Sequence, residues 1–229
     1  MNDTPWPWEG EYVAQFLQDH HVRGVLDDLA LGSSDVVLDA GCGNGILACA
    51  LAEKCHLGIV IACDTDDTAV RATLNRSSEV SNLFVLKSAV DFVRLAPHAC
   101  DRIICRNVLH LLEDPVMTLR HLSTLLRRNG LLLLEFPAAR NLDERMFLES
   151  VSRQWDESRR RSYYLPEDIQ SMLSAIGYKA VRRTDRLISR LFPVAFQGSG
   201  ASCVPYCRMA TDGGIAFEMV FTRLLSRIS

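Results

Sequence analysis

The run Val36-Val37-Leu38-Asp39-Ala40-Gly41-Cys42-Gly43-Asn44-Gly45 passes from β-branched apolar residues through an acid into three glycines at alternate positions. A helix-like segment, Ile46 to Lys54, follows without a break. Strand, tight turn and helix in that order bring backbone N–H groups and a helix N-terminus close to a ligand. The first glycine permits the turn, and the missing side chains let ligand and backbone approach closely. Asp39 ends the strand, where it can accept hydrogen bonds from the turn or from a cationic ligand group. The pattern predicts a nucleoside-type cofactor; the alternative is a set of glycines that only terminates a strand.

Outward from this run the chain alternates strands and helices. Gly58 to Cys63 is a continuous apolar run, as expected of a strand buried on both faces. It ends in Asp64-Thr65-Asp66-Asp67, with Asp64 21 residues beyond Gly43. An acid at that strand tip can accept two hydrogen bonds from a ribose diol, while Asp66 or Asp67 caps a helix running to about Asn75. Leu83 to Lys87 reads as a third strand and Asp101 to Cys105 as a fourth. Pro115 to Arg128 reads as a helix stopped by Asn129-Gly130, and Leu131 to Phe136 as a fifth strand. Pro137 to Leu165 is too long for a plain connection; it holds a helix, Met146 to Trp155, then Arg159-Arg160-Arg161 and Tyr163-Tyr164. A helix opened by Pro166 ends at Gly177, and a strand from Tyr178 to Val181 extends toward Ile188. Leu191 to Gly214 reads as a long loop before a final strand, Ile215 to Leu224. Ahead of the glycine run, Glu11 to Ala30 is an amphipathic helix. The expectation is an α/β fold in one domain, a doubly wound, mostly parallel sheet with helices on both faces.

The Asp-x-Gly-x-Gly-x-Gly spacing departs from the dinucleotide fingerprint Gly-x-Gly-x-x-Gly, whose third glycine is Ile46 here. With the acid at the second strand tip and Asn107-Val108-Leu109-His110-Leu111 after the fourth strand, it resembles the class I S-adenosylmethionine-dependent methyltransferases over roughly Glu11 to Val181. The resemblance implies seven strands, the last inserted antiparallel beside the fifth, and S-adenosyl-L-methionine as cofactor. It implies cofactor contacts from Tyr12, from Asp39, Gly41, Cys42, Gly43, Asn44 and Gly45, and from Asp64 and Thr65. Ser88, Ala89, Val90, Arg106 and Asn107 complete that set. Ser88 stands where the family often carries an acid for the adenine amino group, and Asp91, three residues later, is the alternative. Residues 138–165 correspond to a helical cap over the acceptor pocket, where Trp155, Tyr163, Tyr164 and the arginines could receive an aromatic or anionic small molecule. A surface helix with a solvated arginine run is the plain alternative. His110 follows the fourth strand, at the end of the sheet where ligands bind. An unperturbed imidazole titrates near neutrality, which makes His110 the candidate base for an acceptor hydroxyl, with Tyr163 and Tyr164 as weaker ones. A packed core histidine is the other reading.

Apolar residues make up 48% of the 229 and charged residues 23%, as in soluble globular proteins. Met1 to Gly10 has no basic or apolar signal region, and the longest apolar region, Ile46 to Cys63, is broken by Glu53, Lys54 and His56. The expectation is a cytoplasmic protein with no membrane span. Cys49, Cys55, Cys63 and Cys105 lie in apolar patterns as small hydrophobes. Cys203 and Cys207 form a C-x3-C pair, but no His follows His121, so no metal site is expected. The net charge of −3 divides into −7 up to Phe136 (18 acids against 11 Lys and Arg) and +4 beyond it (14 basic against 10 acidic). A basic second half suits an anionic substrate or RNA, or it is arginines on solvated helix faces. The activity this points to is methyl transfer to O, N or C of a small molecule, by alignment of donor and acceptor. RNA methylation is a second reading, and a cofactor-binding relative that does not methylate (a partner protein or a cyclase) is a third.

Overall fold

A computed structural model describes residues 20–155, 162–192, 207–209 and 215–228. Helix α1 (His20–Leu29) leads into β1 (Val36–Ala40), α2 (Ile46–Lys54), β2 (Ile59–Asp64), α3 (Asp67–Arg76), β3 (Leu83–Lys87) and β4 (Cys100–Arg106). Then come α4 (Pro115–Leu125), β5 (Leu126–Ala138), α5 (Leu142–Trp155), α6 (Pro166–Ala175), β6 (Tyr178–Phe192), β7 (Cys207–Met209) and β8 (Ile215–Ile228). The strands form one sheet in the order β3-β2-β1-β4-β5-β8-β6, with β7 paired to β8. β1 to β5 are parallel, and β8 runs antiparallel between β5 and β6. The winding direction reverses between β1 and β4, and that switch opens a crevice at the carboxyl ends of the strands.

Strand periodicity divides the core into two layers. Val37, Val60, Ala62, Ile104 and Leu133 pack beneath α1 and α2, through Val25, Leu29, Leu47, Ala48 and Leu51. The alternate residues Leu38, Cys63, Ile103, Cys105, Leu132 and Leu134 pack beneath α4 and α6, through Leu119, Leu122, Ile169 and Leu173. Side chains buried on both faces explain why these strands read as unbroken apolar runs. Cys55, Cys63 and Cys105 are buried and unpaired, and burial pushes the Cys63 thiol up to about 12, so they act as small apolar side chains.

Several element boundaries differ from the sequence expectation. Helix α4 stops at Leu125, not Arg128. Leu126 already pairs with Cys100, and Arg102 next pairs with Leu131, so residues 127–130 bulge from the ladder. Gly130 sits inside that bulge, where a Cβ would lie 2.7 Å from the Leu126 side chain and 2.9 Å from the Asp101 carbonyl oxygen. The glycine is therefore required by close packing and not by a helix end. Helix α5 starts at Leu142, earlier than expected, because the Asn141 side chain accepts the Glu144 N–H at 2.9 Å. The expected seven strands become eight: β7 pairs with Phe217–Ile215, inside the stretch read as a loop. β6 and β8 run on to Phe192 and Ile228 because each supplies the other's ladder along its length. Of the expected Glu11–Ala30 helix, the part from His20 lies within the described residues.

Candidate active site

Four charged residues converge at the carboxyl ends of the strands. Asp39 on β1, Asp64 on β2, Arg106 on β4 and Glu135 on β5 each fall two residues from a side chain of the α1–α2 layer, so strand alternation puts them on one face. The glycine turn sits above them. Its first bend is held by the Cys63 carbonyl, which accepts from both Gly41 and Cys42 N–H at 2.9 Å. Asp64 does the next part: Oδ2 accepts the Gly43 N–H at 2.9 Å and Oδ1 the Asp66 N–H at 3.0 Å. The carboxylate thus points at the turn and keeps lone pairs for further donors. Asp66, not Asp67, caps α3, taking N–H groups from Thr68 and Ala69.

The three motif glycines all have positive φ, 85°, 54° and 78° at 41, 43 and 45, yet their surroundings differ. A Cβ on Gly41 would lie 2.2 Å from Val108 Cγ2, and one on Gly45 would lie 2.6 Å from Thr73 Cγ2. On Gly43 it would meet nothing within 4 Å. Two glycines are thus closed in by protein and the middle one opens outward, as a bare backbone surface for a ligand must. Helix α3 clamps this loop from outside: the Thr73 hydroxyl donates to Gly43 O at 2.8 Å, and Arg76 Nε to Asn44 O at 3.0 Å. Sequence reasoning missed both residues; their three-residue spacing on one helix face was the available signal.

Asp39 is 2% exposed, and its Oδ2 has no hydrogen-bond partner among the described residues. None of the turn N–H groups just described reaches Oδ2, and the Arg106 guanidinium is the cationic group that acts on the Asp39 carboxyl. Burial pushes its carboxyl up to about 7; Arg106 opposes the shift and Asp64 adds to it. An orphaned buried acid beside an outward-facing glycine fits a zwitterionic, cationic cofactor tail. Ser88 N–H donates to the Asp64 carbonyl at 3.0 Å, which sets Ser88-Ala89-Val90 beside the β2 tip. The Ser88 hydroxyl donates to Ala89 O at 3.0 Å, Val90 is buried, and both Thr65 and Asp91 are exposed. Tyr12 lies outside the described residues.

Beyond β4, Asn107 takes a left-handed φ of 55°, its N–H donating to Glu135 O at 2.7 Å. His110 follows on a short 3-10 turn, 5% exposed, its ring stacked on Tyr163 with centroids 6.3 Å apart and planes 23° apart. The insertion closes on this turn: Ser162 N–H donates to His110 O at 2.9 Å, and Ala139 N–H to Tyr164 O at 3.0 Å. Tyr163 and Tyr164 are core residues rather than open aromatic surfaces, since Tyr163 packs with Ala139 and Leu148 and is fully buried. Residues 159–161, the arginine run, lie outside the described residues. Among the described residues, no helix is long and apolar enough to cross a membrane, and no three or more His, Cys, Asp or Glu are grouped to hold a metal.

A family model described as a methyltransferase domain matches residues 12–183. The chain belongs to that family. It is a class I S-adenosylmethionine-dependent methyltransferase domain, and S-adenosylmethionine is its cofactor. A ubiquinone biosynthesis O-methyltransferase of Saccharophagus degradans is 27% identical over 127 residues, 55% of this chain and 53% of that protein. The chain thus spans about half that relative's length. A ribosomal RNA large subunit methyltransferase G of Aeromonas salmonicida is 31% identical over 125 residues, 48% of this chain and 33% of that one. Among solved structures, a methyltransferase fold from Bacillus halodurans superposes with a TM-score of 0.80 at 16% identity, covering 91% of this chain and 99% of that one. The last strand, β8, lies antiparallel beside β5, as the sequence resemblance implied.

Proposed function

We propose that this methyltransferase domain methylates a small-molecule acceptor held at the β4 and β5 tips. The observation that carries this reading is the closure of the insertion on the post-β4 turn, through Ser162 N–H to His110 O at 2.9 Å. That contact sets the insertion against the turn that carries the buried His110, an arrangement suited to a small acceptor. The ubiquinone-pathway relative supports the same reading by its name.

S-adenosylmethionine supplies an activated methyl group on a sulfonium, so the protein's part is to align, enclose and move a proton. In this reading Asp64 accepts the ribose hydroxyls while it holds Gly43, Asp39 neutralises the cationic tail, and Gly43 offers its bare backbone. His110 removes the proton of an acceptor hydroxyl. Asp64→Ala is expected to weaken cofactor binding at least tenfold, the loss of roughly 1.4 kcal/mol or more that one charge-assisted hydrogen bond carries. Calorimetry with S-adenosylhomocysteine checks it, and an unchanged Kd removes Asp64 from the sugar. His110→Ala is expected to lower kcat about 100-fold, the usual scale of general-base catalysis, with cofactor affinity kept. Full turnover in that variant would leave alignment as the whole mechanism.

The decisive experiment supplies isotope-labelled S-adenosylmethionine with, separately, a small-metabolite extract and purified ribosomal RNA. Label in the small-molecule fraction is the expected result. The RNA reading draws on the rRNA methyltransferase relative and on the +4 charge beyond Phe136. Label in RNA, with binding that weakens steeply as salt rises, would establish it in place of the first.

A further inference from the structure

The cofactor roles proposed for Asp39, Asp64 and Gly43 make no use of the buried pair of Arg106 and Glu135, although the sequence resemblance placed Arg106 and Asn107 among the cofactor contacts. Arg106 ends β4 opposite Glu135 on β5, with Nε 2.9 Å from Oε1 and side chains 6% and 2% exposed. A guanidinium presents five donors in a rigid fork. Glu135 engages Nε, but Nη2 is buried without a hydrogen-bond partner among the described residues. A buried charged donor left unmade is costly, and proteins rarely carry one without a use. The adjacent Asn107, held in its left-handed conformation, has a buried Oδ1 that also has no partner among the described residues. Successive residues thus hold a cationic donor and a neutral acceptor in reserve.

Their place in the sheet says which ligand they meet. Asp64, on β2, stands two strands from Arg106, about 10 Å at the usual strand spacing. A nucleoside whose sugar rests on Asp64 therefore leaves the β4–β5 tips to whatever lies beyond its reactive end. Residues 162 and 164 meet the chain just past these tips, Ser162 N–H donating to His110 O and Ala139 N–H to Tyr164 O.

We infer that Arg106 is a specificity-determining residue: its Nη2 binds an oxyanion, a carboxylate in the simplest case, carried by the methyl acceptor. Asn107 Oδ1 receives a neighbouring hydroxyl or N–H of the same molecule. The acceptor is then an acid whose methylated atom sits a short distance from its anionic group. The inference rests on the cofactor placement given above.

The test uses the protein saturated with S-adenosylhomocysteine, titrated by NMR with benzoate and, separately, with its neutral isostere benzamide. Benzoate is expected to bind at least tenfold more tightly and to shift the Arg106 Nε resonance. In the double variant Arg106→Met, Glu135→Gln, which removes both buried charges together so that neither is stranded, the preference is expected to fall below twofold. Because Arg106 also offsets the Asp39 carboxylate, the variant is titrated with S-adenosylhomocysteine held saturating, and a cooperative thermal transition reports that it is folded. Equal binding of the two probes by the unmodified protein, or no binding of benzoate, overturns the inference without needing any variant. Preference that survives in the double variant overturns it too. If unmodified protein fails to bind S-adenosylhomocysteine, the cofactor placement falls, and this inference with it; binding of the cofactor product with no benzoate preference sinks the inference alone.

Discussion

Asp39→Asn is expected to make the ligand-free protein more stable at pH 8 while weakening S-adenosylmethionine binding at least tenfold. The Asp39 carboxyl is buried and raised from 3.8 to about 7, so the folded chain binds a proton there that the unfolded chain has already released. Between roughly pH 4 and pH 7 the folded state therefore holds more protons, and stability falls as pH rises through that window. Above pH 7 the full penalty is in place, on the order of 4 kcal/mol for a shift of this size. The amide has the same shape and no charge to desolvate, so it removes that penalty at pH 8 and leaves stability near pH 4 almost unchanged. Thermal unfolding of both proteins at the two pH values reads the difference directly. If the gap between them is the same at pH 4 and pH 8, Asp39 is not the titrating group.

Binding follows the opposite sense. A cationic tail beside Asp39 needs the carboxylate, so the proton must leave before the ligand is held. With a free-state value of about 7, S-adenosylmethionine affinity is expected to weaken about fivefold from pH 7 to pH 6 and roughly tenfold per unit below that. In Asp39→Asn this slope disappears. On the proposed reading, the residue that destabilises the ligand-free chain is the one that gives the cofactor a counter-charge, a trade between stability and function that strained sites commonly make.

The second large effect separates the glycines of the turn. Gly43→Ala is expected to fold, with a cost of about 1 kcal/mol for a left-handed alanine, because its Cβ meets no protein atom within 4 Å. It places a methyl group on the outward-facing side, and cofactor affinity is expected to drop tenfold or more. Gly41→Ala puts a Cβ 2.2 Å from Val108 Cγ2, a contact that forces the segment from Val108 to His110 to move. Stability there is expected to fall by about 3 kcal/mol, from conformational strain and overpacking together. Calorimetry and thermal unfolding of the two variants give the check: equal losses of stability would mean that the turn is uniformly structural.

The parts of this protein that were legible in its sequence are those governed by local chemistry. Strand runs such as Val36 to Ala40 are apolar on both faces, and acids and glycines mark their ends, so β1, β2, β3 and β4 were readable to within a residue or two. The position of Asp64 at the tip of β2 was readable because the apolar run stops there. What stayed hidden depends on partners far along the chain. Leu126 looks helical by periodicity, and it is extended because Cys100 claims it across the sheet. Thr73 looks like a surface helix residue until Gly43 O accepts its hydroxyl. Tyr163 reads as an exposed aromatic candidate, yet the return of residues 162–165 against β5 and His110 buries it. The Arg106–Glu135 pair joins residues 29 apart and left no local trace.

The antiparallel position of β8 bears on how the molecule is made. β5, which carries Glu135 into the site, has β4 on one side and residues 220–226 on the other. During synthesis β5 emerges long before those residues exist, so one flank of the strand leaves the ribosome with its amides unmet. A growing chain in that interval has an open edge of the kind that invites foreign strands. The ladder on that flank closes only when late-made backbone slides in beside early-made backbone.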